Sequence, residues 1–317
     1  EPAIRGWNFL PNAPIPVSPY FTLPLNLSRY LGWLVRSWFP LTERLLFLGL
    51  ALFSWVFLTP ALESCVEISA DWILPIYAKN FGLMVLVAGG LHLYFYKFSA
   101  QGRALKFDNG MANKDGRKFT LGNQVRDNIF WTLASGVTVW TAFECTLLWL
   151  HANGYASTLS FKGNPAWFIG LFLLVPVWNS SWFFLIHRVL HWPPLYKFAH
   201  HVHHRNVSVG PWSGNSMHPV EHVIWLSGVF VYAFISCNPI HIIFSQHLSI
   251  LGAVSSHCGY EGLVIGRKRR IKMGDFFHQL HHRYYECNYG TAEVPLDSWH
   301  GSFHDGTREG AKVLKRA

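Results

Sequence analysis

The chain has 317 residues, half of them hydrophobic and only 14% charged, with 25 Phe and 15 Trp. A soluble globular protein carries about a quarter charged residues, so this balance excludes an ordinary soluble enzyme and points to an integral membrane protein. The formal net charge is +9, but no basic tract is interleaved with base-stacking aromatics, which argues against nucleic acid as a partner.

Residues 1–28 carry Pro2, Pro11, Pro14, Pro16, Pro19 and Pro24. They lack the compact apolar core of a signal peptide and read as an extended arm that orders on contact. Arg29 to Phe39 mixes Arg with Trp and Leu, a pattern open to an interfacial helix or a plain connecting one. Residues 1–43 are therefore taken as an N-terminal arm.

Four apolar segments follow: Arg44 to Leu62, Phe81 to Tyr96 (which Ile73 to Ala78 can extend), Ile129 to Leu150, and Trp167 to Ile186 with a kink expected at Pro176. Each approaches the roughly 20 residues that span a bilayer. The stretch Val223 to His257 is longer than one span and is broken at Asn238-Pro239. It reads as a helical hairpin that spans or dips into the membrane. Strand-like alternation is scarce. The expected fold is an all-α integral membrane protein with about four transmembrane helices plus this hairpin.

Loop charges suggest an orientation. Residues 97–128 hold Lys97, Arg103, Lys106, Lys114, Arg117, Lys118 and Arg126 against Asp108, Asp115 and Asp127, whereas 63–72 hold Glu63, Glu67 and Asp71 and no base. Under the positive-inside rule the basic loop, the end of the fourth segment and residues 258–317 share the positive side, the cytoplasm or an organelle's matrix. Arg267, Lys268, Arg269, Arg270 and Lys272 agree with this. The same basic stretch also suits an acidic partner.

Eleven of the eighteen histidines fall in four clusters: His187-Arg-Val-Leu-His191, His200-His-Val-His203-His204, His218-Pro-Val-Glu-His222 and His278-Gln-Leu-His281-His282. The orientation collects all of them as a histidine-rich cap on the positive face. Imidazole binds transition metals as a neutral ligand at pH 7. Positions i and i+4 share one helical face, and an adjacent pair splays by about a third of a turn, so it can serve two neighbouring metals. Trp192-Pro193-Pro194 ends the first helix, which places the second box on a new one. The number of imidazoles exceeds one zinc site, which usually has four ligands, and exceeds a haem's axial pair. The Glu-x-x-His pattern of carboxylate-rich di-iron bundles is absent. Two iron ions held mainly by nitrogen fit the count. The five cysteines are scattered, with no CxxC pair, and read as buried thiols.

At these boxes the chain resembles the fatty acid hydroxylase superfamily, which includes sterol desaturases and sterol methyl oxidases. The late box continues into Asn288-Tyr289-Gly290, and Leu296-Asp297-Ser298-Trp299-His300-Gly301-Ser302 resembles the family's closing motif, with Leu296 where Trp is usual. His218-Pro219-Val220-Glu221 and His257-Cys258-Gly259-Tyr260-Glu261 resemble elements of the sterol branch. The resemblance covers about residues 130–305. It implies a di-iron domain at 129–305, after a first transmembrane pair and basic loop at 44–128 and before a tail at 306–317.

The implied ligands are His187, His191, His200, His203, His204, His278, His281 and His282, with His257 and His218 added. His201 and His222 are weaker candidates, and Glu221, Glu261 and Asp275 are candidates to orient imidazoles. His92, His151, His241, His247, His300 and His304 read as bystanders. The implied activity is O2-dependent hydroxylation or desaturation of a sterol-like or fatty-acyl lipid. With no flavin, nicotinamide or haem motif, electrons would come from a small external donor such as a cytochrome b5- or ferredoxin-like protein. A catalytically retired member serving as a structural subunit is the alternative, and the arm and tail would then meet neighbours in a membrane complex. A metal transporter would need polar groups within the spans, where His92 and Glu144 are the candidates.

Overall fold

The computed structural model describes residues 7–38, 43–110, 112, 117–266, 268–307 and 310. Expectations that rest on Pro2, Lys114, Asp115, Arg267 and tail residues 311–317, or on the side chains of Arg269 and Arg270, lie outside the described residues.

Helix α1 (Leu27–Trp38) follows the arm. Leu27, Leu31 and Val35 are exposed on it, and their i, i+4, i+8 spacing puts them on one face. Helix α2 (Arg44–Leu58) is apolar but short. It stops because Thr59 is extended (φ −100°, ψ 131°), the conformation that the following Pro60 imposes on its neighbour.

Three helices among the described residues are long and apolar enough to cross a membrane: α3 (Ala70–Lys97), α4 (Gln124–Ala152) and α5 (Pro165–Leu190). Their starts are written locally. The side chains of Ser69 and Asn123 accept the first free amides of α3 and α4, and Asn164 caps α5, whose first residue is Pro165. The helix α5 runs on through Pro176. Three of the four expected spans have this length, and the first apolar segment forms the shorter α2.

Residues 193–204 form α6, opened by Pro193 and Pro194. Helix α7 (Pro219–Ala233) and helix α8 (residues 239–256) meet at Asn238-Pro239, where the Asn238 side chain caps α8. The hairpin is not a lipid-facing span throughout: every residue of Pro239–Gln246 is buried. Ile242, Phe244 and Leu251 join Trp140, Trp212 and Val175 in the main core, so α8 is a central strut.

A short antiparallel hairpin, β1 (Gly262–Ile265) and β2 (Lys268–Lys272), adds to the helices. Gly266, at φ +58°, makes the left-handed turn between the strands. Helices α9 (Phe276–Tyr284) and α10 (Leu296–Trp299) close the domain. The proline-rich arm packs on its own chain. Trp7 meets Phe276 edge-on at 5.2 Å, Arg283 stacks over Trp7 at 4.3 Å, and Phe107 and Leu280 complete that cluster.

Candidate metal centre

Four elements bring the histidines together. His187 lies in the last turn of α5 and His191 caps that helix. The Pro193-Pro194 pair turns the chain so that α6 returns beside it with His200, His203 and His204. His257 caps the C-terminal end of α8. Helix α9 contributes His278, His281 and His282. Asp275 caps α9, accepting from Phe277 N at 3.0 Å, so its carboxylate serves the helix start rather than an imidazole.

The nine rings form two groups. His187, His191, His200, His204 and His281 offer nitrogens within 4.8 Å of one another, and His203, His257, His278 and His282 do the same. The adjacent pairs divide between them: His203 and His204 go to different groups, as do His281 and His282. Helical geometry explains this, since neighbours on an α-helix point about 100° apart.

The Nε2 atoms face inward. His191, His204 and His281 form a triangle with sides of 3.1, 3.2 and 3.1 Å. His187 Nε2 is 3.1 Å from His200 Nε2, and His257 Nε2 is 3.0 Å from His282 Nε2. The opposite nitrogens set the tautomers. His187 Nδ1 donates to Tyr289 O at 2.6 Å, His281 Nδ1 to Cys287 O at 2.6 Å, and His257 Nδ1 to Ala253 O at 2.8 Å. A carbonyl oxygen only accepts, so each Nδ1 carries the proton and each Nε2 presents a lone pair. Lone pairs about 3 Å apart repel unless a cation lies between them. Nitrogens about 2.1 Å from one metal and at right angles to each other stand roughly 3.0 Å apart. The donor set thus fits first-row transition metal ions, one in each group.

Burial favours the neutral, ligating form. It pushes His257 down to about 4, and burial with the nearby Arg188 does the same to His191. His200, His203, His204, His278, His281 and His282 are held well below the ordinary imidazole value, by burial first and by neighbouring rings second.

The structure keeps His218 away from both groups. It caps α7, with Nδ1 accepting from Val220 N at 3.2 Å, and its ring lies beside Phe198 and Trp131. The ligand role expected for His218 is therefore corrected: its motif enters the site through Glu221, whose Oε1 is 2.7 Å from His200 Nδ1. His201 is exposed. His222 contacts Ser135 Oγ at 2.9 Å, and Glu261 lies outside both groups.

What residue types do not reveal is the use of the Tyr289 and Cys287 carbonyls. The chain reverses at Tyr285 (φ 65°) and Asn288 (φ 53°), the latter a residue that tolerates the left-handed region. Asn288 is tied to Phe277 O, His304 O and His304 N. Asp297 then accepts from Tyr289 N at 2.8 Å, Gly290 N at 2.7 Å and Ser302 Oγ at 2.6 Å. The Asn-Tyr-Gly and Asp-to-Ser stretches are thus the two sides of one clamp on the loop that orients His187 and His281.

Residues 172–302, from inside α5 to the Ser302 of this clamp, match the family model described as Fatty acid hydroxylase. That stretch of the chain is similar to fatty acid hydroxylases. Curated relatives include a Delta(7)-sterol 5(6)-desaturase of Gibberella zeae, 27% identical over 132 residues, covering 41% of this chain and 40% of that protein. Methylsterol monooxygenase 1 of Danio rerio is 29% identical over 116 residues, covering 36% and 40%. A Delta(7)-sterol-C5(6)-desaturase of Nicotiana tabacum is 26% identical over 171 residues, covering 51% and 60%. The chain thus spans about two fifths of the first of these relatives. No solved structure matches it.

A cavity of about 590 Å³ opens beside these histidines. His187, His200, His203, His257 and His278 line one part of it, Phe183, Leu190 and Trp225 its apolar wall, and Trp33, Arg36 and Arg44 the part under α1 and α2.

Proposed function

We propose that this protein is a membrane-bound di-iron oxygenase that hydroxylates or desaturates a lipid with O2. The observation that carries this reading is the pair of buried imidazole groups with facing Nε2 atoms, opening onto a largely apolar cavity. His187, His191, His200, His204 and His281 would hold one iron, and His203, His257, His278 and His282 the other. When bound, the irons supply the O2 activation that attack on an unactivated C–H bond requires.

The protein's own part is to orient and to exclude water. The carbonyls of Tyr289, Cys287 and Ala253 and the carboxyl of Glu221 hold the ligand rings through their Nδ1 atoms. The apolar wall of Phe183, Leu190 and Trp225 favours a lipid over solvent beside those rings. The sterol-directed relatives favour a sterol-like substrate over a fatty-acyl one. Electrons would arrive from a small external donor, of cytochrome b5 or ferredoxin type, on the cytoplasmic or matrix side.

Lipid mass spectrometry of cells with and without the gene, grown under labelled O2, tests the proposal. Hydroxylation leaves the label in a lipid. Desaturation yields a lipid lighter by two hydrogens and unlabelled. An unchanged lipid profile, with no iron in the purified protein, would instead support a retired structural subunit.

A further inference from the structure

The cavity has a polar end that the oxidation chemistry does not use. Arg44, at the start of α2, forms an ion pair with Glu293 through one terminal nitrogen, Nη2. Its other terminal nitrogen, Nη1, is buried and has no partner among the described residues. Both residues line the cavity that reaches the histidines. Close by on the same wall, Ser180 Oγ and Thr291 Oγ1 are 2.6 Å apart. Ser180 precedes His187 by two turns of α5, about 10 Å along its axis. Glu293 belongs to the loop whose Tyr289 carbonyl orients His187.

We propose that Arg44 and Glu293 form a head-group site, in which Arg44 Nη1 donates a hydrogen bond to an oxygen of an uncharged lipid head such as a hydroxyl. Anchoring the head there selects which carbon lies at the histidine end. The word substrate in this proposal rests on the oxygenase reading above. A charged head is disfavoured at this end, because the Arg44 guanidinium is already matched by the Glu293 carboxylate. A buried donor left without an acceptor is unfavourable, and a head-group oxygen would satisfy it.

The test uses the metal-loaded protein in nanodiscs and two fluorescent probe pairs: dehydroergosterol with its 3-sulfate, and parinaryl alcohol with parinaric acid. Energy transfer from Trp33 and Trp225, which line the cavity, reports binding. At least one alcohol should bind at least tenfold tighter than its anionic counterpart. Arg44→Gln and Glu293→Gln should each reduce alcohol binding about tenfold without loss of metal, and Arg44→Lys, which keeps a donor, should lie between. In turnover, the Gln variants should raise KM more than they lower kcat and should shift the position oxidised. Equal binding within both pairs, or no binding of any probe by the wild type, overturns the proposal whatever the variants do. Unchanged alcohol affinity in both Gln variants also overturns it. Selective alcohol binding without any oxidised product would retain the head-group site and reject the oxygenase reading.

Discussion

Glu221 and His200 are joined by a 2.7 Å contact between Oε1 and Nδ1, with both side chains almost wholly buried. The carboxyl group reaches the site from α7 and fixes the ring on α6. Partners behind a metal-binding imidazole typically govern affinity by 10–100-fold. Glu221→Ala should therefore weaken iron binding by about that factor with all nine histidines intact. Competition with a chelator measures it, and an unchanged affinity would reject the orienting role.

The two groups should load separately. His282→Ala removes a nitrogen from the four-histidine group, and His191→Ala removes one from the five-histidine group. Each should lose roughly half the bound iron, since a metal held by several imidazoles needs its full set. His218→Ala should keep all of it. Elemental analysis per chain decides, and loss of iron in His218→Ala would restore that residue as a ligand.

The Asp297 carboxylate accepts two hydrogen bonds from the loop, from Tyr289 N and Gly290 N, and a third from Ser302 Oγ. Hydrogen bonds to charged groups contribute more than neutral ones, so Asp297→Ala should destabilise the domain by about 3 kcal/mol or more. Asp297→Asn keeps one acceptor oxygen and should cost less. Thermal unfolding ranks the two, and equal midpoints for wild type and Asp297→Ala would reject the clamp.

Gly214 shows how packing reaches the metal centre. A Cβ there would lie 2.1 Å from Ala253 O and 2.6 Å from Ala253 C, both backbone atoms. That same Ala253 carbonyl orients His257. Gly214→Ala should push α8 and deplete metal from the four-histidine group before the five-histidine one. A spectroscopic metal titration would show a selective loss of one binding step, whereas two intact steps would contradict it.

Lys79 and Glu144 form a buried pair between α3 and α4, and Asn80 Nδ2 also donates to Glu144 Oε2 at 2.9 Å. Breaking a buried pair leaves an uncompensated charge, a loss of about 3–5 kcal/mol. Glu144→Leu should destabilise by that amount, and adding Lys79→Met should recover most of it. Unfolding midpoints in detergent test both. Equal stability of Glu144→Leu and the double variant would show that Lys79 is not the stranded charge.

The helices at Ala70–Lys97, Gln124–Ala152 and Pro165–Leu190 were legible because a long apolar run with a capping residue in front has few other solutions. The first apolar segment, which Pro60 stops, forms a helix shorter than those three at Arg44–Leu58. The β1–β2 hairpin was hidden because its second strand is a basic run, the same residues a topology argument reads as loop charge.

At the site, the spacing of His187 with His191, and of the two HxxHH boxes, follows from helical period alone. The split of His203 from His204 and of His281 from His282 is implicit in the same period. By itself, the amino-acid order determined which imidazoles share a helical face and that they are too many for one metal. Only the tertiary structure decided that isolated His257 joins them and His218 does not. It also decided which backbone carbonyls set the tautomers, and that Arg44 meets Glu293 across the cavity. The physical reason is range: periodicity acts within a turn or two of helix, whereas these contacts join residues that are distant in the chain and are set by packing.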